Sequence, residues 1–392
     1  MKYKTLESCF HDPGMDEKAE YEKRFSQENT CHLALKIHDY PAFFTITSEV
    51  FQLCCEIQQQ NAEVAKLTAR IPSLDTLLFR CLLQEIQMSN DIEGVHSSRK
   101  ELLAIQNRLI KQQAHTRFAG QLRQYEALFN EKPKRPADSH EIRSIYDALL
   151  MEDVRADNPE NLPDGECFRK DSVCITNGQD VIYHGIVPED KIISVLDSVL
   201  VQLAGQPAII AGSVFHFVFE YVHPFYDGNG RMGRYLSTKI LAENLELAGV
   251  LQLSLVLREN KSKYYKAFRQ CESKMNCGDL TPFLIIFLEL ILLSFDSAID
   301  LLHELSADHE RGTGLIKSLN LSKRDEEFLE LMLSNLLFGY QSLSIADISA
   351  ALSVSSSTAR NLVQKHSKYL YPQKDGRIHR FTLHRNFLHE DG

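Results

Sequence analysis

A Cys-x-x-Cys pair is missing from this 392-residue sequence, although the chain contains nine cysteines. Zinc clusters and dithiol redox sites use such closely spaced pairs, so the sequence indicates neither. Only Cys54 and Cys55 are adjacent, and we expect free thiols in a reducing cytoplasm. The first segment, MKYKTLESCFHDPGMDEK, is too polar for a secretory signal.

A long hydrophobic run and an excess of positive charge are also missing. The longest apolar run, Phe283–Phe295, is interrupted by Glu289 and is shorter than the roughly 20 residues that span a membrane. It predicts a buried helix, and no membrane is expected as a partner. The formal net charge of −10 argues against a polycation built for nucleic acid. The 44% hydrophobic and 24% charged residues are typical of a globular protein with room for two or three domains.

Apolar residues at helical spacing predict a mostly α-helical chain. Ser73 is expected to cap a helix that ends near Glu93, where Gly94 can take the left-handed conformation after the last turn. Ser98 and Glu101 have capping-box spacing and predict the start of the next helix. Further helices are expected at about 189–204, in the segment before residue 223, and at 231–247, 261–274 and 280–304. Residues 1–45 are expected to be irregular, with short strand-like pieces.

Two segments favour β-structure instead. In residues 168–186, β-leaning runs flank Asn177-Gly178, a dipeptide that is common in tight hairpin turns.

From Ser344 onward, the pattern is helix, turn, helix, strand, Lys-Asp-Gly turn and strand, which predicts a winged helix-turn-helix. Residues 340–392 carry seven Lys/Arg and four Asp/Glu, so this part is basic although the whole chain is acidic. The charge permits DNA contact, but winged helices also serve as protein-binding modules.

The segment HPFYDGNGRMGR, residues 223–234, concentrates residue types that bind phosphate. Gly228 and Gly230 allow positive φ and a close approach of the backbone to an anion, directly before a helix expected to start at Arg231. Arg231 and Arg234 are three residues apart and lie on one face of its first turn. Two cations at a helix N-terminus oppose the helix dipole, and a bound di- or triphosphate would reverse that penalty.

An acid and a histidine precede this phosphate cradle. A bare carboxylate at Asp227 would repel phosphate. The same carboxylate can, however, bind a Mg²⁺ ion, and the ion in turn contacts the phosphates. His223, four residues earlier, can accept a proton from an incoming hydroxyl. Together these residues predict attack of a hydroxyl on a phosphorus atom of a nucleotide.

A different nucleotide site fits part of the same segment. Gly228-x-Gly230-x-x-Gly233 matches the dinucleotide fingerprint, with FHFVFEYV and LQLSLVL as strands and Glu259 as the ribose-binding acid. This oxidoreductase is disfavoured because Pro224 interrupts the first junction. In addition, Glu259 comes 26 residues after the last glycine, rather than roughly 20. No further strand–helix alternation predicts a parallel sheet.

Residues 223–234 resemble the signature of the Fic (filamentation induced by cAMP) family at each of its defining positions. These positions are His223, Phe225, Asp227, Gly228, Asn229, Gly230, Arg231 and Arg234. The resemblance implies transfer of AMP from ATP to a Ser, Thr or Tyr hydroxyl of a protein, with release of pyrophosphate. It implies that His223 is the base, that Asp227 holds Mg²⁺ and that Phe225 anchors the loop in the core. It assigns the α- and β-phosphates to the Gly228-Asn229-Gly230 turn and Arg231, and the γ-phosphate to Arg234.

Three further segments are similar to the family. SNDIEG, residues 89–94, resembles the inhibitory motif [S/T]xxxE[G/N], which implies an inhibitory helix that contains Ser89 and a Glu93 that pairs with Arg234. The pair would occupy the γ-phosphate site, because arginine binds carboxylate and phosphate in similar ways. RENKSKYYKAF resembles the stretch in which a tyrosine lines the adenine site, with Tyr265 as the better candidate and Tyr264 as the other. The hairpin at 168–186 corresponds to the flap, where a target would add as an extra strand.

The implied fold is mainly α, with a Fic-fold helical core, a β-hairpin flap and a C-terminal winged helix-turn-helix domain. The expected parts are an inhibitory N-terminal region at 1–115, a catalytic core at 116–304, and a linker with the winged helix at 305–392. The implied enzyme is a magnesium-dependent protein adenylyltransferase that uses ATP, modifies targets including itself, and is auto-inhibited by Glu93. Removal of AMP, use of another nucleotide, a homodimer, and a nucleotide-sensing regulator that binds DNA stay open as alternatives.

Overall fold

The computed structural model describes residues 3–109, 116–176, 181–376 and 378–389. The chain forms two compact units. The first runs to Ala62 and continues from Leu82 to Asp296, and the second contains Glu63–Cys81 and continues from Ser297. The domain boundaries expected at 115/116 and 304/305 stay predictions.

The described chain is mainly α-helical, as the sequence predicts. The helices are α1 (Leu6–Phe10), α2 (Glu17–Phe25), α3 (Ser48–Thr68), α4 (Leu74–Ile92), α5 (Arg99–Leu109), α6 (Ala119–Asn130), α7 (Ser139–Leu149), α8 (Met151–Asp157), α9 (Glu189–Leu203), α10 (Ala208–Val222), α11 (Asn229–Leu241), α12 (Leu247–Val250), α13 (Leu253–Glu259), α14 (Lys261–Glu272), α15 (Thr281–Ser318), α16 (Lys323–Phe338), α17 (Ile345–Ala351) and α18 (Ser356–Lys365). The strands are β1 (Thr30–Ile37), β2 (Tyr40–Thr45), β3 (Cys174–Thr176), β4 (Val181–His184), β5 (Leu343–Ser344), β6 (Leu370–Asp375) and β7 (Ile378–Leu383).

The N-terminal segment is more regular than the sequence predicts. Two short helices, α1 and α2, precede the antiparallel hairpin β1–β2. The expected strand-like pieces are thus confirmed, while the expectation that the rest of 1–45 is irregular is wrong. In β1, Leu33, Leu35 and Ile37 are buried, while the residues between them are exposed. This alternation lets one face of a two-stranded sheet pack on the core. Aromatic rings of α2 cover the hairpin, among them Phe25 against Phe43.

Helix α10 lies at the centre of the first unit and packs against α11. Its sequence, AIIAGSVFHFVFEYV, has no charged residue before Glu220, and fourteen of its fifteen residues are buried. Phe217 of α10 stacks on Phe268 of α14 and packs edge-on against Phe283 of α15. Because FHFVFEYV lies inside a helix and most of LQLSLVL belongs to α13, the dinucleotide-fold alternative is wrong.

Helix α15 is longer than the segment 280–304 that the sequence predicts, since it continues to Ser318. Its apolar part is buried, including Leu284, Leu288 and Ile291, as expected for a core helix. By length and composition alone, it is the one helix among the described residues that could cross a bilayer. Of its most apolar window, 61% is buried inside the protein, and a core helix of this kind passes the same test.

The C-terminal part of the second unit contains α17, α18, β6 and β7, in the order that the sequence predicts. Ser344 and Asp347 form a capping box at the start of α17, and Ser353 takes a left-handed conformation in the turn before α18. Buried Asp325 of α16 accepts hydrogen bonds from Lys365 and His366 at the end of α18. The assignment of these elements as a winged helix-turn-helix stays a prediction.

Gly249 provides a test of packing in the first unit. A Cβ at this position in α12 would overlap the Phe295 ring of α15. We expect Gly249→Ala to lower the free energy of unfolding by about 1–3 kcal/mol, because the core there has no room for a methyl group. Gly314→Ala is the matched control, since its Cβ meets open space within α15. It should be neutral or stabilising, by up to about 1 kcal/mol. Thermal unfolding followed by circular dichroism measures both, and equal midpoints for the two variants would contradict the packing.

Candidate active site

A tight loop between α10 and α11 carries the signature residues. Helix α10 ends at His223, whose φ of 52° is left-handed. Phe225 then enters the core and stacks on Tyr146 of α7, with ring centroids 3.8 Å apart. The Asn229 side chain accepts a hydrogen bond from the Phe225 amide at 2.9 Å and donates to its carbonyl at 2.7 Å. Because the side chain of Asn229 closes the loop in this way, its backbone amide is the group that remains for a ligand.

Helix α11 begins at Asn229, two residues before the predicted start at Arg231. Gly228 takes φ 84° at the N-cap position, and a Cβ there would lie 2.9 Å from Leu150 Cδ1. Both facts require glycine, since the left-handed conformation and the close contact disfavour a side chain. The first amides of α11, at Asn229 and Gly230, have no partner within the helix and form an anion site.

The His223 imidazole is held as a neutral base. Its Nδ1 lies 3.3 Å from the Glu220 carbonyl oxygen. A carbonyl only accepts hydrogen bonds, so Nδ1 carries the proton and Nε2 is left to accept one. The pKa of His223 is lowered to about 4, mainly by burial and also by the charge of Arg169, while the Glu220 carbonyl, Glu93 and Asp227 act in the opposite direction.

Arg169, which sequence reasoning missed, fixes the backbone at the histidine. The fully buried guanidinium donates from Nε to the His223 carbonyl at 2.8 Å and from Nη2 to the Val222 carbonyl at 3.3 Å. Its Nη1 donates to the Asp171 carbonyl at 2.7 Å, which connects the loop to the base of the hairpin. No local signal identifies this role, because the two carbonyls next to the loop, those of Val222 and His223, lie more than 50 residues away in the sequence.

Arg231 is buried but incompletely paired. Its Nη2 lies 3.5 Å from Asp227 Oδ1, and its Nη1 lies 3.8 Å from Asp153 Oδ2. Within the residues that the structure describes, Nε and Nη1 have no hydrogen-bond partner. Asp153 cannot turn toward them freely, since its carboxylate accepts from the Phe118 amide and from Gln121 Nε2, both at 2.6 Å. Buried N–H groups without acceptors are costly, so an anion that accepted these hydrogen bonds would stabilise the site.

Arg234 contacts both residues of the predicted inhibitory motif. Its Nη2 lies 2.8 Å from Glu93 Oε1 and donates to the Ser89 carbonyl, while its Nε donates to Ser89 Oγ at 2.9 Å. Burial alone would lower the pKa of Arg234, but Glu93 and other anions raise it above the usual range. The Glu93 carboxylate lies against Gly230, where a Cβ would overlap it. The predicted contact is therefore present, and it reaches the first turn of α11.

Two basic side chains contact the end of α4, directly before Glu93. Lys261 Nζ donates to the Ile92 carbonyl at 3.0 Å, and Arg258 lies 3.4 Å from Asp91. Gly94 follows in the left-handed conformation that the sequence predicts, with φ 71°. These contacts fix where the Glu93 side chain begins, while a third of that side chain stays exposed to solvent.

The two candidate tyrosines of α14 have different surroundings. Tyr264 is buried, and its hydroxyl lies 2.7 Å from His216 Nε2, so it belongs to the core. Tyr265 is half-buried, with Lys261 Nζ 5.7 Å from its ring centroid. Burial raises the pKa of Tyr265 to about 12, with the charge of Glu93 acting in the same direction. Tyr265 is thus the one of the two that a nucleotide could reach.

The predicted hairpin is present as the antiparallel pair β3–β4. Its tip, including the predicted Asn177-Gly178 turn, lies outside the described residues. The base of the hairpin is joined to the loop, because the Tyr226 hydroxyl accepts from the Asp171 amide and donates to Asp164, both at 3.0 Å.

Comparison with known proteins identifies the domain that contains this loop. The sequence profile of the Fic/DOC family matches residues 97–241, which include α10, α11 and the segment HPFYDGNGRMGR. Residues 97–241 are a Fic/DOC domain. The family resemblance of the signature is confirmed, and the Fic domain includes the hairpin, His223, Arg231 and Arg234.

Two relatives illustrate the similarity. A probable protein adenylyltransferase of Aquifex aeolicus (strain VF5) is 46% identical over 59 residues, which are 15% of this chain and 16% of that protein's length. The crystal structure of a Fic family protein from Desulfovibrio desulfuricans G20 superposes with a TM-score of 0.53 and 21% identity, over 87% of this chain and 97% of that one. The second similarity supports a shared fold.

The protonation of His223 can be tested directly. Because burial lowers its pKa to about 4, we expect the imidazole to be neutral from about pH 6 upward, with the proton on Nδ1. Nitrogen NMR of histidine-labelled protein reports both the pKa and the tautomer, and His223→Ala assigns the signal. Titration near the ordinary histidine value, or a proton on Nε2, would contradict this assignment.

Proposed function

We propose that the Fic domain transfers AMP from ATP to a Ser, Thr or Tyr hydroxyl of target proteins, including this chain itself, and that Glu93 inhibits the transfer. The name of the Aquifex relative, a probable protein adenylyltransferase, supports this class of reaction. Because the segment shared with that relative is short, the proposal for the whole protein depends mainly on the geometry of the candidate active site. The observation that carries the proposal is the buried Arg231 guanidinium, whose Nε and Nη1 have no hydrogen-bond partner among the described residues, beside the first amides of α11 and a neutral His223.

The reaction follows from these groups. The target hydroxyl oxygen forms a bond to the α-phosphorus of ATP, while the bond from that phosphorus to the oxygen bridging the β-phosphorus breaks. His223 Nε2 takes the hydroxyl proton, and pyrophosphate leaves. A positioned base contributes about 10²–10⁴-fold to such a rate. Arg231 and the amides of Asn229 and Gly230 would stabilise negative charge on the phosphates, as fixed donors that need no reorganisation.

Asp227 fits the predicted role of magnesium ligand. Its side chain is partly exposed, and Arg231 lies 3.5 Å from one of its oxygens. Within the described chain, no group of three His, Cys, Asp or Glu side chains could hold an ion alone. Mg²⁺ is commonly held by one or two carboxylates together with water and substrate phosphates, so a single acid is sufficient. When bound, the ion would neutralise charge on the phosphates.

Inhibition follows from competition for Arg234. The Glu93 carboxylate occupies the guanidinium that would otherwise bind the γ-phosphate, and it also lies against Gly230. A carboxylate tethered to α4 is present at high effective concentration, so ATP has to displace it.

The target itself would add to β3–β4, a sheet with two strands among the described residues, whose outer edges offer backbone hydrogen bonds.

Removal of Glu93 tests both parts of the proposal. We expect Glu93→Gly to raise incorporation of labelled AMP from ATP and Mg²⁺ well above the level of the unsubstituted chain, because Arg234 becomes free for phosphate. His223→Ala in the Glu93→Gly background should lower incorporation by about 10²-fold or more, while ATP still binds. Incorporation is measured by autoradiography of the purified protein and of lysate proteins.

Asp75→Asn is the matched control, because this exposed acid lies in the first turn of α4, at the other end of the helix from Glu93. It should leave incorporation low. Equal, low incorporation by Glu93→Gly and the unsubstituted chain would contradict the inhibition, and retained transfer by His223→Ala would contradict the base. Mass spectrometry with ATP, GTP, UTP and pre-modified protein distinguishes transfer of AMP from use of another nucleotide and from removal of AMP.

A second candidate function concerns the C-terminal elements. On α18, Ser357, Arg360, Asn361 and Gln364 are exposed at positions i, i+3, i+4 and i+7, so they form one stripe. Arginine, asparagine and glutamine are the side chains that read base edges in a major groove. Helix α18 contains no acidic residue. These observations favour a nucleotide-sensing regulator in which α18 contacts duplex DNA.

Substitution in this stripe tests DNA binding. We expect Arg360→Ala and Asn361→Ala each to weaken binding to a selected duplex by roughly 5- to 100-fold, which corresponds to about 1–3 kcal/mol per base contact. Fluorescence anisotropy with duplexes selected from a random pool measures the affinity. Lys317→Ala removes one positive charge outside the stripe and should have a smaller effect. Equal losses for all three variants, or failure to select any duplex, would contradict the second function.

A further inference from the structure

Glu220 is an acid in the Fic domain for which the proposed reaction has no use. It lies on α10, one turn before His223, and only its backbone carbonyl contacts the imidazole. Its Oε1 is out of contact with solvent and has no hydrogen-bond partner among the described residues. Glu220 as a residue is partly exposed, but an ionised carboxylate oxygen that has neither water nor a donor is expensive, so the surroundings of Oε1 require an explanation.

The Glu220 carboxyl lies against the signature helix. A Cβ at Gly233 would overlap Glu220 Oε1, which means that the acid packs directly on the α11 backbone next to Arg234. The charged and titratable groups that act on it come from three neighbouring elements. They are Arg234 of α11, Glu93 at the end of α4, and Tyr264 and Tyr265 of α14.

Two acids therefore act on one guanidinium: Glu93 forms the ion pair with Arg234, and Glu220 acts on it through its charge. The pKa of Glu220 is raised to about 8, mainly by burial, with Arg234 lowering it and the like charge of Glu93 raising it. At neutral pH, Glu220 thus carries a proton while Glu93 supplies the negative charge that Arg234 needs. A γ-phosphate in place of Glu93 would bring more negative charge to the same position.

We propose that Glu220 is a positioning residue of the phosphate site, which has to be protonated for Arg234 to bind the γ-phosphate of a nucleoside triphosphate. An ionised Glu220 would attract the Arg234 guanidinium and repel an incoming phosphate. A protonated Glu220 removes that competition and leaves the guanidinium to the phosphate. This inference rests on the proposed function, because it assumes that Arg234 receives the phosphate.

The sign of the pH dependence follows from linkage. A negatively charged ligand raises the pKa of a neighbouring acid, so binding of ATP takes up a proton once free Glu220 begins to ionise. ATP affinity is therefore constant below the pKa of Glu220 and falls as pH rises above it. The limiting slope for one proton is about tenfold per pH unit. AMP has no γ-phosphate and should lack this dependence.

The experiment uses the full chain with Glu93→Gly and His223→Ala, which opens the Arg234 site and prevents turnover. Removal of Glu93 takes away a like charge that raises the pKa of Glu220, so Glu220 should ionise at a lower pH in this background. ATP and AMP affinities are therefore measured by calorimetry with Mg²⁺ between about pH 6.5 and about pH 9.5, with Glu220 or with Glu220→Gln. We expect the dissociation constant for ATP to rise at least about tenfold over this range with Glu220. With Glu220→Gln, it should change less than about twofold, because glutamine has no proton to lose.

A second measurement needs no substitution at position 220. Calorimetry in buffers of different ionisation enthalpy should show uptake of a substantial fraction of one proton per ATP at about pH 8.5, and none for AMP. The same pH dependence with Glu220 and Glu220→Gln, or no proton uptake, would overturn the inference while ATP still binds. An absence of ATP binding at every pH would overturn the proposed function instead.

Discussion

A guanidinium that is taken out of water requires an anion, and Arg234 imposes this requirement on the whole site. Its side chain is almost fully buried, with Glu93 and Ser89 as partners. A buried charge left alone costs several kcal/mol, so the arginine keeps one anion or exchanges it for another. On α4, the helix that directly precedes Glu93, buried Glu85 accepts hydrogen bonds from the backbone amide and the hydroxyl of Ser254. These two hydrogen bonds fix α4 against α13. The helix that precedes Glu93 is thus fixed to the core.

The loop between α10 and α11 is held by contacts within the protein. Left-handed residues at His223 and Gly228 bracket it, and the Asn229 side chain and the Phe225 ring hold the segment between them. Such preorganisation is what makes electrostatic catalysis effective, because donors need not move when charge develops. The cost of the arrangement is visible at Arg231, where two N–H groups lack acceptors in the described structure.

The sequence contained enough information for the loop, because its determinants are local. Glycine at position 228 and the amphipathic pattern on either side predict a helix, a turn and a helix, although the N-cap at Gly228 moves the start of α11 to Asn229. The contact between Glu93 and Arg234 could be predicted only through the family resemblance, since 140 residues separate the partners. Arg169 and Asp153 were missed because their partners are distant in sequence. Periodicity does not report such contacts.

One consequence of the Arg169 contacts extends beyond the loop that they support. A single rigid, planar group bonds the carbonyl of His223 and the carbonyl of Asp171, so the two segments cannot shift independently. Any displacement at the base of the hairpin would therefore be transmitted to the backbone of His223. The position of the imidazole is in this way mechanically linked to the segment that begins the hairpin.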